Sequence, residues 1–369
     1  MIKRIQLING LAAFVAVLHH STHWVVTAMV YWADRYRPVS VPNFDFVGSY
    51  SFYFTSLVDQ LVLFGVPAFL FISGYFVTFA TGIKQQTIQW SVVFNRIRVL
   101  IPPYLLWSLI IIGLNIMQGQ EYGLAELASM ILTGGVVAPY YYVPLLIQLY
   151  LISPFLVPLV RQHWKLVLFA SVLLKLLSSF FIYTILLDKR IPGIGFLYTL
   201  AVDWHVPANI IWFVLGMVVG FNLRAFKEML RRMAKWLPVL LLLTLPVTLV
   251  EWDLLRRSAG REWISPQSTF FGSILILVII LGLFSYEKLY LRIAPQLEFI
   301  SEKSFGIYLI HVLVLEVTAR VIYHLAPWLL GVPLLFQFIL VVFGLGIPLL
   351  VMEIVDRTPA RHFYKLAFG

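Results

Sequence analysis

Residues 6–30 read QLINGLAAFVAVLHHSTHWVVTAMV, and this stretch decides the fold. No Asp, Glu, Lys or Arg interrupts it. At 1.5 Å per residue, a helix of that length crosses the roughly 30 Å hydrocarbon core of a bilayer. The rest of the 369-residue chain repeats the pattern: 61% of residues are hydrophobic, 12% are charged, and the mean hydropathy is +0.90. Soluble proteins hold about 45–50% apolar and about 25% charged residues. The composition therefore predicts an all-α, polytopic integral membrane helical bundle. About ten transmembrane helices can be read. Their cores lie near 6–30, 57–81, 99–117, 143–160, 165–187, 207–223, 237–255, 268–286, 305–324 and 332–354. Only Arg161–Lys165 separates the fourth core from the fifth, which predicts a tight hairpin.

Charge sets the expected orientation. With the N-terminus inside, 18 basic residues fall in inner segments, among them Lys3, Arg4, Lys84, Arg96, Arg98, Lys288, Arg292 and Lys303. Seven fall outside: Arg35, Arg37, Lys189, Arg190, Arg256, Arg257 and Arg261. That bias predicts cytoplasmic N- and C-termini. It also accounts for the net charge of +10, so no nucleic-acid partner is expected. The absence of cysteine excludes disulfides, thiolate metal ligands and a cysteine nucleophile. Lys3 and Arg4 precede a segment long enough to span and lacking a small-residue cleavage site, so it reads as a retained helix. The outer loops Tyr31–Tyr53 and Ile191–Pro207 are rich in aromatic residues and proline, with room for an acceptor site. No internal repeat or soluble domain interrupts residues 1–369, which read as one membrane domain.

Ionisable groups at bilayer depth are costly and point to function. His19, His20 and His23 lie within five residues of the first helix. Eleven helical steps return to nearly the same face, so Asn9 and His20 share a stripe about 16 Å long. His23 stands one turn beyond His20, while His19 points about 100° away. His20 falls about 22 Å into the membrane, past its centre. Imidazole near neutral pH is the side chain most readily used as a proton acceptor. The competing reading is histidines satisfied by neighbouring helices.

Other polar positions carry paired readings too. Ser73 and Gly74 in VPAFLFISGYF (66–76) suit close helix packing. Arg96 and Arg98 enter the third span before Pro102-Pro103, as phosphate-gripping groups or as ordinary topogenic charge. Pro144 can free a carbonyl and Gln148 can bond across helices. Lys175 is deep enough to require a partner or a cavity. Glu316 and Arg320, four apart, read as a mutually neutralising pair. SEKSFGIYLIH (301–311) sets Ser304, Tyr308 and His311 on one face, with His311 about 9 Å from the inner side and shallower than His20.

Together these segments resemble the membrane-bound acyltransferase family 3. Ile5–Ala12 and His20 match in part its first-helix motif, Ile-Asp-x-Leu-Arg-Gly-x-Ala followed by histidine. Phe69–Tyr75 matches its Phe-Phe-x-x-Ser-Gly-Phe stretch. Arg96, Arg98, Pro102 and Tyr104 match an arginine-rich entry to a Pro-x-Tyr helix, and Ser304–His311 matches Ser-Tyr-x-x-Tyr-Leu-x-His. The resemblance implies O-acyl transfer from cytoplasmic acyl-CoA, usually acetyl-CoA, to a hydroxyl of a carbohydrate or other cell-envelope acceptor. It implies a plasma (inner) membrane protein with acyl-CoA as co-substrate and no permanently bound cofactor or metal.

His20 stands at the family's essential histidine, as general base or acyl relay, with His19 and His311 as further catalytic candidates. Asn9 occupies the place of the family's arginine, and Gln6 that of its acidic residue. Asn9, Ser73, Arg96, Arg98, Lys303, Ser304 and Tyr308 are the candidates for binding the coenzyme. His23, Gln148 and Lys175 are those for binding the acceptor. The rival reading from the residues is a proton-coupled secondary transporter or exporter using His20, Lys175 and Gln148. Repeated halves with broken helices would favour that rival, and the sequence has none.

Overall fold

The computed structural model describes residues 2–30, 32, 47–82, 85–285 and 292–369. Most of the loop Tyr31–Tyr53, with Arg35 and Arg37, lies outside these residues, as do Lys84 and Lys288. The described chain is all-helical, 85% helix with no strand. In order the helices are α1 (Ile2–Val30), α2 (Tyr50–Val62), α3 (Gly65–Thr81), α4 (Trp90–Met117), α5 (Leu124–Thr133), α6 (Tyr142–Leu186) and α7 (Val206–Phe221). They continue as α8 (Leu223–Met233), α9 (Leu237–Ser258), α10 (Phe270–Ser285), α11 (Ala294–Glu302), α12 (Ser304–Leu325), α13 (Pro333–Arg357) and α14 (Tyr364–Phe368).

Eight helical stretches among the described residues are long and apolar enough to cross a membrane. Two features account for the difference from the ten expected spans. The segments read as 143–160 and 165–187 are two helical arms that run together as α6 and meet at His163, where φ is −133° and ψ is 40°. The chain reverses there, as the short Arg161–Lys165 connection implies. Gln148 donates to Trp204 O at 2.8 Å and Phe181 meets the Tyr198 ring at 5.2 Å, so one loop touches both arms. A straight helix would hold residues 148 and 181 about 50 Å apart. The span read as 268–286 is the 16-residue helix α10, about 24 Å long.

The outer surface is itself an argument for lipid. On α9, Leu242 is 73% and Leu243 61% exposed, and α13 bares Leu334, Phe338 and Val342. Helices apolar on their outward faces are stable only in an apolar solvent. The protein is a multi-pass membrane protein.

Contacts divide the chain into two compact units. One contains residues 1–65, 237–283 and 287–362, hence α1, α2, α9, α11, α12, α13 and most of α10. There α1 is central, packing on α2, α11, α12 and α13. Gly10 permits the closest approach: a Cβ at that position would lie 2.0 Å from Leu297 O on α11. The other unit holds residues 66–236, 284–286 and 363–369. Its α3 and α7 meet through Gly74 and Gly216, where an added Cβ would reach within 2.0 Å of Phe213 O and 1.9 Å of Phe71 O. Small residues at helix contacts are what membrane packing calls for, because lipid supplies no hydrophobic drive between helices.

Candidate active site

The candidate site grows from α1. Consecutive residues point about 100° apart on a helix, so His19 and His20 face different neighbours. His19 turns to α2, where its Nδ1 lies 2.6 Å from Oδ1 of Asp59. Asp59 is 2% exposed. A buried carboxylate is tolerated only when hydrogen-bonded or paired, and His19 satisfies it. The carboxylate in turn fixes the imidazole: it accepts a hydrogen bond from Nδ1–H, which leaves the lone pair of the neutral ring on Nε2.

His20 turns toward α12. Its ring centroid lies 5.3 Å from that of His311 and 4.9 Å from that of His19. His311 is fully buried, with Nδ1 at 2.9 Å from Ile307 O. A carbonyl only accepts, so Nδ1 carries the proton and Nε2 of the neutral ring carries a lone pair. That Nε2 has no hydrogen-bond partner among the described residues. Tyr308, one turn below, lies 6.3 Å from His311, ring to ring.

This corrects the depth read from sequence. His311 is level with His20, because α11 extends the α12 stack below Ser304 and packs on the lower part of α1. Asn9 fixes the register. Its Nδ2 donates to Ser304 Oγ at 3.0 Å, Ser301 Oγ at 3.1 Å and Ser301 O at 3.3 Å. The position where the resembled family carries arginine is here a neutral tie between helices. Gln337 on α13 ties the upper part of α1 through Thr22 Oγ1 at 2.9 Å. Lys303 faces Glu353 Oε2 at 3.6 Å, and His23 is exposed beyond the cluster.

Arg96, Arg98, Ser73, Gln148 and Lys175 belong to the other unit. Arg96 donates to Phe76 O at 3.1 Å and lies 5.4 Å over the Tyr150 ring, so its head is committed locally. Arg98, one residue pair on, is exposed. Ser73 is buried and hydrogen-bonds Tyr142. Gln148 spends its amide on Pro144 O, one turn back on its own helix, and on Trp204 O in the loop before α7, so its long-range bond runs from helix to loop and not between helices. Lys175 is half-buried and interacts with Asp203. Glu316 and Arg320 do pair, at 2.8 Å.

A family model described as an acyltransferase domain matches residues 2–353. The chain belongs to the acyltransferase 3 family. No curated protein and no solved structure matches it. The match spans both units, so this membrane acyltransferase uses nearly its whole length as the family domain. One residue of the cluster escaped the sequence reading. Asp59 is an acid inside an apolar run, itself a signal of function. It lies just within the expected start of the second span, near 57. No group of three or more His, Asp or Glu side chains among the described residues is arranged to hold a metal ion.

Proposed function

We propose that this acyltransferase moves an acyl group, acetyl in the simplest case, from acyl-CoA to a hydroxyl of a carbohydrate or other cell-envelope acceptor. The observation that carries this reading is the row His19–His20–His311, half-buried at its first two members and fully buried at its third, with the buried Asp59 behind the first. His20 acts as base. Its imidazole takes the proton of the acceptor hydroxyl as that oxygen attacks the thioester carbonyl. The new C–O bond forms, the C–S bond breaks, and the departing thiolate recovers the proton from the imidazolium to leave as coenzyme A. The His19–Asp59 pair stabilises the transient positive charge beside it. In the relay variant, His20 carries the acyl group between the two steps.

Arg98 and Lys303, one in each unit, are separate candidates for the coenzyme's phosphates. Arg96 contributes by holding α3, and Asn9 by holding α11 and α12. The basic-residue bias of 18 to seven supports cytoplasmic termini in the inner membrane. A buried carboxylate–imidazole pair would equally serve a proton-coupled transporter, and thioester consumption separates the two. Coenzyme A release from acetyl-CoA is measured with purified protein in lipid, with a glycan extract of the host envelope as acceptor pool. Release that collapses in His20→Ala supports the enzyme. Release that survives the change removes His20 from this role.

A further inference from the structure

α8 lies between two membrane spans and is not one itself. Its sequence, LRAFKEMLRRM, covers about 16 Å as a helix, too short and too charged to cross a bilayer. Asn222, with φ −119° and ψ 38°, separates it from α7, and the span α9 begins at Leu237. α8 therefore starts where a membrane crossing meets water. Around the helix, Lys227, Arg231, Arg224, Glu228 and Arg232 occupy an arc of about 140°, and apolar residues fill the rest. Phe226 and Leu230 are buried, and the Phe226 ring meets that of Phe284 on α10 at 5.9 Å. That anchors one edge of the apolar side. The other edge is uncovered: Ala225 and Met229 are exposed, as is Trp236 just beyond the helix. Between this edge and the basic arc lies an open cleft of about 290 Å³, lined by Ala225, Glu228, Met229, Arg232 and Met233.

The charges beside the cleft are unpaired. Elsewhere Lys3, Lys303, Arg357 and Arg361 each have a carboxylate within 3.6 Å. Among the described residues, the side chains of Arg224, Lys227, Arg231 and Arg232 make no ion pair or hydrogen bond, although Glu228 is one turn from Arg224 and from Arg232. The helix dipole accounts for Arg231 and Arg232 in the last turn but disfavours Arg224 in the first. What fits is a molecule with an anion at one end and an apolar chain at the other. The planar fork of Arg232 suits a phosphate. Ala225, Met229 and Met233, each one turn from the next, form a track for a hydrocarbon chain. Glu228 can accept from headgroup hydroxyls. With Lys235, five basic residues stand against this one acid, which favours an anionic lipid over a zwitterionic one. With cytoplasmic termini, α8 meets the cytoplasmic leaflet, which carries anionic lipid. We propose that α8 is an interfacial helix with a binding site for one anionic phospholipid, its phosphate on Arg232 and an acyl chain along Ala225, Met229 and Met233.

The test uses the full protein in a nonionic detergent, titrated with phosphatidylglycerol or phosphatidylethanolamine and followed by native mass spectrometry. The readout needs no turnover, so it stands apart from the acyl-transfer reading. Wild type should retain one phosphatidylglycerol more tightly than phosphatidylethanolamine. Arg232→Gln should weaken phosphatidylglycerol about fivefold, the equivalent of one interfacial charge. Lys227→Gln removes the same charge from the far edge of the basic arc and should cost much less. Both side chains are exposed, so both variants should unfold at the wild-type midpoint. Equal losses in the two variants overturn the site and leave diffuse surface attraction only. Phosphatidylethanolamine held as tightly as phosphatidylglycerol overturns it as well. So does a lower midpoint for Arg232→Gln, which would give the guanidinium a partner inside the fold. Displacement of the lipid by glycerol phosphate or coenzyme A as readily as by more phosphatidylglycerol would assign the basic arc to a soluble phosphate, and the proposal would fall.

Discussion

Replacing Gly10 with alanine puts a methyl carbon 2.0 Å from Leu297 O and 2.8 Å from Leu297 C. Both are backbone atoms of α11, so no side chain can swing aside. Ordinary carbon–oxygen contact begins near 3.3 Å, so α1 and α11 must part by about 1.3 Å. Asn9 is the neighbouring residue, and its bonds to Ser301 and Ser304 start at 3.0–3.3 Å. A displacement of that size carries them past hydrogen-bonding range. Overpacking costs about 1–3 kcal/mol, and losing the two bonds an amide NH2 can make adds about 1 each, giving about 3–5 kcal/mol. The assay is reversible unfolding of the purified protein in mixed micelles by a denaturing detergent, wild type against Gly10→Ala. Because α1 also carries His19 and His20, coenzyme A release should fall in the same variant under folding conditions. A stability change under about 1 kcal/mol, the size of an ordinary substitution, would refute the backbone-to-backbone contact on which this reasoning depends.

Asp59→Asn keeps the size of the side chain but loses the charge-assisted bond to His19. A bond of that type contributes about 1.5–3 kcal/mol, so transfer measured as kcat/KM should fall about tenfold to a hundredfold. Arg98→Ala should raise KM for acetyl-CoA with little change in stability, while Arg96→Ala should lower the unfolding midpoint because Phe76 O loses its donor. Paired kinetics and unfolding curves distinguish the two. Because the chain has no cysteine, a single Lys365→Cys or Arg190→Cys reports topology cleanly. With cytoplasmic termini, an impermeant thiol reagent applied to whole cells should label Arg190→Cys and spare Lys365→Cys.

The sequence reading was strongest where one helix speaks for itself. Apolar length alone locates α1, α12 and α13, and helical spacing correctly joins Ser304, Tyr308 and His311 on one face. Gln148, expected to bond across helices, bonds a loop carbonyl, that of Trp204, instead. The failures are matters of pairing. Periodicity says which face of α1 is polar but not what meets it. Asn9 finds Ser301 across 292 residues of chain, and no local pattern encodes that register. The depth of His311 was misjudged because α11, nine residues of modest hydropathy, had no signature as part of the same stack. The reversal expected at 161–165 does occur, at His163, through a single residue outside helical geometry and without a turn motif. Asp59 was missed for a different reason: a few polar residues in an apolar run look like tolerated exceptions until their partners can be counted.

The hydrogen bond between His311 Nδ1 and Ile307 O limits where charge can travel. An imidazole passes protons along a wire by receiving on one nitrogen and releasing from the other. Here the second nitrogen faces an amide carbonyl, which has no proton chemistry to offer. A proton arriving at Nε2 of His311 can leave only by the route it came, unless the buried ring turns over. The histidine row is therefore a cul-de-sac: it can store a proton for the length of one reaction and hand it back. It is poorly built to conduct protons from one face of a membrane to the other.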